Sequence, residues 1–308
     1  MKRIIIICSV MLLAAGFLSC ASSSAPAGSR VEFYPSNANI SPVYKITKDG
    51  NVMFLAGSVH VLRDNDFPLP EAFDYAFSAS DILVIETDID QMEDPEIQQH
   101  LLYSSFFTDG RTLSSVLSPQ TFALLSQACN DYGFPINENV MNLKPSMVVN
   151  ILTVMQIQEL GFAKTGVDEF YYNKAKNENK PVDFLESIQS QINIITTMGE
   201  GYEDEYVLYS LQDMDSTEDS IQAMVFEWKN GITSLAEESI TELIAEWPML
   251  YRSMLTDRHD EWFPQLDKFL ASGKTHFVIA GFLHLPGPYG LLQYLENSGC
   301  TVEQIAVR

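Results

Sequence analysis

Apolar and polar positions form blocks along the chain that predict strands separated by helices. Two β-rich runs in residues 41–57, SPVYKITKDGNVMFLAG, flank Asp49 and Gly50, which is the signature of a hairpin with a tight turn. Residues 68–80, PLPEAFDYAFSAS, begin with proline and then repeat apolar residues at helical spacing. The continuous apolar run that follows, DILVIETDI at 81–89, is typical of a strand buried on both faces. The opening of the chain therefore predicts a hairpin and a strand–helix–strand unit of the kind that forms a parallel pair.

The middle of the chain is helical in its spacing, and the end returns to strands. Helices are predicted over 94–106, 112–130 and 145–161, and most of residues 187–272 are helical too. A short strand over Val182–Leu185 interrupts them. The closing residues predict a strand in THFVIAGFLH, a helix in GPYGLLQYLENSG and a last strand in CTVEQIAV. The expected fold class is α/β, with a central mixed sheet built from two pseudo-symmetric βαβ units and a large helical midsection.

The first residues have the order of a secretory signal. Two basic residues precede an apolar run, Ile4–Leu18, which is short for a membrane span of about 20 residues. The run ends in Phe17-Leu18-Ser19-Cys20, which resembles a bacterial lipobox. Residues 1–19 are therefore predicted to be a signal peptide of the lipoprotein type, with Cys20 as the lipidated residue. The alternative is conventional cleavage nearer Ala21–Ala25.

Small polar residues and prolines follow the cysteine, as in a tether. The expected organisation is a tether over residues 20–40 and a single folded domain over residues 41–308. The expected location is the bacterial cell envelope, on the periplasmic or outer-membrane face, with membrane contact through the N-terminal lipid.

Charge and composition narrow the class of protein. The chain is 46% hydrophobic and 19% charged, so we expect a sizeable packed core. Its 18 Lys and Arg against 41 Asp and Glu give a net charge of −23, which argues against a nucleic acid partner because such partners require phosphate neutralisation. Export would place Cys129 and Cys300 in an oxidising compartment, where they can pair or, more commonly, stay separate buried thiols.

Two Gly-x-x-His segments mark candidate chemistry at the ends of predicted strands. Gly57 to His60 closes the hairpin, and Gly281 to His284 closes the late apolar strand. Ligands bind outside the carboxyl ends of the strands in sheets of this kind. We therefore expect both histidines at the same edge of the sheet.

Two acids follow other apolar strands. Glu86 comes after LVI and Glu186 after VDFL, and burying either of them unpaired would be costly. Together with the two histidines they form a plausible set of metal ligands. The alternative is that both are exposed acids that cap a helix or pair with an arginine. The sequence contains no His-Glu-x-x-His, Gly-x-Ser-x-Gly or phosphate-binding glycine loop.

Four longer stretches, taken in order, resemble the TraB/GumN family. They are FLAGSVHVLRDNDFPLPEAFDYAFSASDILVIETDI, GVDEFYYNKAKNENKPVDFLES, RHDEW and HFVIAGFLHLPGPYGLLQYLENSG, and the resemblance covers residues 41–305. The family is related to the Tiki proteases, and the resemblance implies a fold shared with the erythromycin-esterase and ChaN-like group. Two positions depart from the family pattern. His259 stands where the family usually has asparagine, and Phe282 replaces a small residue in the second Gly-x-x-His.

The resemblance also implies a metal site. His60 and His284 correspond to the motif histidines, and Glu86 and Glu186 to the family acids. Tiki proteins are described as metal-dependent proteases supported by manganese or cobalt. A divalent ion of that kind is therefore expected here, with zinc and iron left open.

The remaining candidates are expected to surround that ion. Arg258 corresponds to the late-helix arginine and would stabilise an oxyanion or bind a substrate carboxylate. Gly57 and Gly281 would let the loop backbone approach the ion. The candidates for substrate binding are Asp168, at the Gly-x-Asp position, His259 and Tyr289.

The function expected from the sequence is a lipid-anchored, metal-dependent hydrolase that acts on a peptide or protein substrate. The ion would activate a water molecule, and whichever of Glu86 and Glu186 does not bind the ion would take its proton. Glu86, Glu186 and Arg258 are thus the candidate catalytic residues. One alternative is a non-catalytic lipoprotein that binds a metal, haem or a peptide. Another is an interaction lipoprotein whose site has decayed.

Overall fold

The computed structural model describes residues 39–162, 164–214 and 217–307. The predicted signal peptide, Cys20 and most of the tether lie outside the described residues. The strands are β1 (Asn39–Lys48), β2 (Asn51–Ser58), β3 (Val61–Leu62), β4 (Ile82–Ile85), β5 (Lys164–Thr165), β6 (Val182–Phe184), β7 (His276–Gly281) and β8 (Thr301–Val307). The α-helices are α1 (Glu71–Ser78), α2 (Pro95–Ser104), α3 (Leu113–Val116), α4 (Pro119–Asp131), α5 (Glu138–Met141), α6 (Pro145–Glu159), α7 (Val167–Glu178), α8 (Ile188–Thr197), α9 (Glu203–Met214), α10 (Thr217–Lys229), α11 (Ser234–Glu246), α12 (Pro248–Tyr251), α13 (Asp257–Ala271) and α14 (Leu291–Asn297).

Six strands form one mixed sheet in the order β6-β4-β7-β2-β1-β8. Strands β6, β4, β7 and β2 run parallel, whereas β1 is antiparallel to both β2 and β8. The predicted hairpin is confirmed, because Lys48 pairs with Asn51 across a turn in which Asp49 and Gly50 both have positive φ, at 50° and 83°. The mixed sheet with a long helical section between its first and last strands confirms the α/β fold class.

The first strand–helix–strand unit differs from the prediction in one respect. Strands β2 and β4 run parallel, as expected, but β7 from the other end of the chain lies between them. All six residues of β7 are buried, which suits a strand in the centre of a sheet. The expectation that β2 and β4 pair is therefore wrong, and β7 joins the two ends of the chain in one sheet.

The central strands send alternate side chains into two hydrophobic clusters, one on each face of the sheet. In β7, Phe277 belongs to the larger cluster and Val278 to the smaller one. Helices α13 and α14 cover the smaller cluster, and α1 with most of the midsection helices covers the larger one. Side chains on both faces of the central strands β4 and β7 are thus removed from water, and the polar site residues lie beyond the strand ends.

One predicted helix is divided in two. The segment 112–130 contains both α3 and α4, because the chain turns extended at Leu117 and Ser118. Ser118 caps α4 by accepting a hydrogen bond from the backbone N–H of Thr121, and Pro119 occupies the first helical position. A proline disfavours helical conformation in the residue before it, which explains the break.

The structure also shows the state of the two cysteines and whether any helix could span a membrane. Cys129 and Cys300 are both buried with free thiols, so the expectation of separate thiols is confirmed. Within the described ranges, no helix is both long and apolar enough to span a bilayer.

Candidate functional site

All four predicted metal ligands lie at the carboxyl edge of the parallel strands. His60 follows β2, Glu86 follows β4, Glu186 follows β6 and His284 follows β7. The backbone N–H of Glu186 donates to the carbonyl of Glu86 at 2.9 Å, which extends the β4–β6 pairing. This bond holds the two acids on neighbouring chain segments at the same edge.

Arg258 occupies the centre of this edge. It lies in the first turn of α13, directly after a π-helical turn at Arg252–Thr256, a kind of turn that is frequent at functional sites. Its Nη2 donates to Oε2 of Glu86 and, at 2.7 Å, to Oε1 of Glu186. Its Nε donates to Oε2 of Glu186 at 3.2 Å. The arginine partner of that alternative is observed, but its expectation of exposed acids is wrong, because the side chains of Glu86 and Glu186 are only 12% and 1% exposed.

The other side of the guanidinium is also occupied. Nη1 of Arg258 donates to Nε2 of His284 at 2.9 Å and to the carbonyl of Met254 at 3.5 Å. A guanidinium has five N–H groups, and these contacts use all of them. Arg258 thus has no spare donor for a substrate in this arrangement.

Other groups also donate hydrogen bonds to the carboxylates of Glu86 and Glu186. The backbone N–H of Gly281 donates to Oε1 of Glu86 at 2.7 Å, and Nε2 of Gln191 donates to Oε2 of Glu86 at 3.2 Å. Nε1 of Trp262 donates to Oε2 of Glu186 at 3.3 Å. These bonds give each carboxylate three hydrogen-bond donors, which offsets the cost of burying its charge.

Burial and the arginine charge act in opposite directions on the two acids. Burial acts to raise the pKa of Glu86, but the charge of Arg258 and the Gly281 N–H outweigh it and hold that pKa below its ordinary value. Burial prevails at Glu186 and raises its pKa. Burial acts to lower the pKa of Arg258, yet the two carboxylates raise it above its ordinary value. Arg258 therefore stays charged.

The ring of His284 has no free nitrogen. Its Nε2 contacts Arg258, and its Nδ1 lies 2.8 Å from Nε2 of His259. Nδ1 of His259 lies 2.9 Å from the carbonyl oxygen of Tyr289. Both rings are buried. Burial, followed by the Arg258 charge, holds the pKa of His284 well below its ordinary value, and burial lowers the pKa of His259 to about 4.

His60 is placed differently from His284. Its Nδ1 lies 3.0 Å from Oδ1 of Asp168 and 3.5 Å from Oγ of Ser58. Asp168 lies in the first turn of α7, which can start this close because a Cβ on Gly166 would stand 2.2 Å from the carbonyl oxygen of His60. Oδ1 of Asp168 is buried without an aligned donor. Across the described ranges, no hydrogen bond reaches Nε2 of His60.

The His60–Asp168 pair holds a proton near neutral pH. Burial lowers the pKa of His60 to about 4, which the negative charge of Glu86 opposes and the positive charge of Arg258 supports. Burial raises the pKa of Asp168 to about 8, and the charge of Glu86 adds to this. The two groups are in contact, so the proton belongs to the pair rather than to either residue. At neutral pH the pair keeps a proton that a separate carboxylate and imidazole would have lost.

Gly57 and Gly281, the first residues of the two Gly-x-x-His segments, leave room for different neighbouring side chains. A Cβ on Gly57 would lie 2.6 Å from the ring of Phe282, so this glycine makes room for a core side chain. A Cβ on Gly281 would lie 3.0 Å from Nε2 of His60 and 3.3 Å from Oε1 of Glu86. Only Gly281 borders the candidate site. Phe282 is buried in the larger cluster, where it packs against Gly57.

The four predicted ligands do not fit a metal ion in this arrangement. Glu86, Glu186 and His284 all face the guanidinium of Arg258, whose positive charge stands between them. Among the described residues, no group of three or more His, Cys, Asp and Glu side chains has the geometry of a metal site. A shared ion would require Arg258 to move away. The same contacts engage both ring nitrogens of His284, so haem ligation by that residue meets the same obstacle.

Sequence reasoning did not identify three residues that shape the site. Trp262 lies one turn after Arg258 on α13, and the i, i+4 spacing is the signal that could have found it. Gly166 is the first residue of the Gly-x-Asp motif, whereas Gln191 has no sequence signal. Tyr289 contacts the site only through its carbonyl, and its side chain points outward with the residue 59% exposed.

The fold and this cluster define a class: an α/β protein with a buried Arg–Glu–His cluster and an adjoining His–Asp pair at the carboxyl edge of its sheet. The chain belongs to the TraB/PrgY/gumN family, whose sequence model matches residues 42–304. It is similar to two proteins named "Uncharacterized protein YbaP", from Escherichia coli (strain K12) at 25% identity and from Shigella flexneri at 24%. Both alignments run over 262 residues and cover 83% of this chain and 92% of the relative. No solved structure matches the chain.

Proposed function

We propose that this protein is a lipid-anchored hydrolase of the bacterial cell envelope that cleaves peptide bonds. The observation that carries the proposal is the His60–Asp168 contact of 3.0 Å beside an Nε2 without a protein partner. A histidine paired with a carboxylate through one nitrogen, with the other nitrogen open, is an arrangement suited to general acid–base work. The lipid anchor rests on the Phe17–Cys20 segment of the sequence.

The pair would act as base and then as acid. When it has lost its shared proton, Nε2 of His60 accepts a proton from water while the water oxygen bonds to the carbonyl carbon. The pair then gives that proton to the leaving nitrogen as the carbon–nitrogen bond breaks. A shared proton near pH 8 lies close to the working pH, where proton transfer is most effective.

The arginine cluster would serve as a fixed support for this pair. Glu86 lies at the junction, because it contacts Arg258 on one side and lies beside Gly281, next to Nε2 of His60, on the other. Arg258 holds Glu86 in place, and the cluster keeps its charges without rearranging during the reaction. Metal dependence stays a prediction of the family resemblance, and no step here requires it.

Turnover of a fluorogenic peptide library tests the proposal, with the protein assayed after chelator treatment and again with added manganese or cobalt. Replacing His60 with Gln removes the proton-transfer group, so kcat/KM should fall by about 10²- to 10⁴-fold. The matched control is His100→Gln, because His100 is exposed on α2 and takes no part in the contacts that form the site. Wild-type turnover in His60→Gln would sink the proposal. Cleavage that survives chelation would show that the pair works without an ion.

A further inference from the structure

The structure buries His259 on α13 behind His284. It is 2% exposed, and it contacts Trp262 and Phe263 with ring centroids 5.9 and 5.4 Å away. A residue so enclosed cannot reach a substrate. Its two ring nitrogens are nevertheless both engaged, one with Tyr289 and one with His284.

The partners of these rings fix where their protons lie. A backbone carbonyl can only accept, so Nδ1 of His259 must donate to Tyr289. A neutral imidazole carries one N–H, so Nε2 of His259 must accept. The donor to that nitrogen is then Nδ1 of His284, 2.8 Å away.

The opposite end of the chain of hydrogen bonds gives the same answer independently. Arg258 can only donate, so Nε2 of His284 must accept from its Nη1 at 2.9 Å. His284 must then carry its proton on Nδ1, as the His259 contact already requires. The charge of Arg258 and the burial of both rings oppose a second proton on either one.

We infer that His259 is a positioning residue that accepts a hydrogen bond from Nδ1–H of His284 and thereby holds that ring with its Nε2 towards the guanidinium of Arg258. If His284 instead carried its proton on Nε2, that N–H would point at an Arg258 N–H, and the arginine would lose one of its five partners. The position of Glu86 beside His60 would change with it. The structural part of this inference stands alone, and its effect on turnover rests on the proposed hydrolase function.

Nitrogen-15 NMR of histidine-labelled protein tests the tautomer directly, with the His284 signal assigned by its loss in His284→Gln. The wild type should show His284 protonated at Nδ1 and unprotonated at Nε2. His259→Gln should keep this state, because a glutamine amide can donate to Tyr289 and accept from His284. His259→Phe removes the acceptor, so the Nδ1–H of His284 should lose its hydrogen bond and its proton resonance should move upfield, while Arg258 still keeps Nε2 unprotonated.

An Nε2–H ring in the wild type, or a His284 Nδ1–H resonance that does not move in His259→Phe, would overturn the inference. The wild-type spectrum and His259→Gln decide the matter even if the phenylalanine variant does not fold. For turnover, we expect a loss of about 10- to 100-fold in His259→Phe, the range typical of residues that orient a site, and near wild-type values in His259→Gln. The tautomer result stands even if His60→Gln shows that the protein is not a hydrolase, so the two failures are distinguishable.

Discussion

The two Gly-x-x-His segments have the same strand context and yet place their histidines in different situations. His284 is 4% exposed, and both of its ring nitrogens are bonded within the protein. His60 contacts Asp168 through Nδ1 and keeps Nε2 open. The strand ends therefore determine that both histidines reach the same edge. The helices packed beside them, α13 for His284 and α7 for His60, determine which ring keeps a nitrogen without a hydrogen bond from the described residues.

Arg258 is the source of this difference, and removing it should have the largest effect. In Arg258→Gln two buried carboxylates lose their positive partner, and His284 loses a donor. Breaking a buried ion pair by removing one partner typically costs about 3–5 kcal/mol of unfolding free energy. Urea denaturation of the purified variant measures this loss.

The matched control for that variant lies one and a half turns earlier in the chain. Arg252 is exposed and pairs with Asp257 at 3.3 Å, so Arg252→Gln should cost less than about 1 kcal/mol. If both variants lost the same small amount, Arg258 would not hold the edge together, and the contrast between the two histidines would need another cause.

The sequence predicted where the site lies better than it predicted the strand order and the hydrogen bonds within the site. Strand ends gave the positions of His60, His284, Glu86 and Glu186, because apolar runs identify buried strands and a polar residue after such a run must lie at an edge. Pairing between strands is a long-range property, so the insertion of β7 between β2 and β4 had no local signal.

The role of Arg258 was equally hard to predict. A ligand set and an ion-paired set both require acids and histidines near each other, so residue types alone left the two alternatives open. The position of the guanidinium depends on the π-helical turn and on the packing of α13 against the smaller cluster. Neither feature follows from spacing in the sequence.

Substitution of the first glycine in each Gly-x-x-His segment tests the difference between the two segments further. We expect a smaller loss of stability than for Arg258→Gln. Gly57→Ala would press a methyl group against Phe282 in the core, and overpacking of this kind costs about 1–3 kcal/mol. Gly281→Ala meets Nε2 of His60 at 3.0 Å, which is longer than the 2.6 Å approach at Gly57 and therefore requires a smaller shift of the neighbouring side chain. We therefore expect Gly281→Ala to lose less stability and more turnover than Gly57→Ala. Thermal unfolding and peptide cleavage of both variants measure this, and the reverse order would contradict it.

The smallest expected effect concerns how the free energy of unfolding changes with pH, which is set by the His60–Asp168 pair. A carboxyl pKa raised to about 8 means that the folded state of Asp168 keeps a proton that the unfolded chain releases near pH 4. An imidazole pKa lowered to about 4 means that folded His60 lacks a proton that the unfolded chain holds up to pH 6.5. Between these values the two effects cancel, because one group gains the proton that the other loses.

Above pH 6.5 only the contribution of Asp168 remains, so its effect on stability should fall as pH rises from 6.5 to 8. Asp168→Asn cannot release a proton and should not show this fall. Below pH 6.5 the variant should gain stability as pH rises from 4, because the contribution of His60 is no longer cancelled. Unfolding free energies of wild type and variant, measured by urea denaturation at several pH values, give the difference between the two curves. Parallel curves from pH 4 to 8 would show that Asp168 ionises as an ordinary carboxylate, and that the open histidine has no proton-sharing partner.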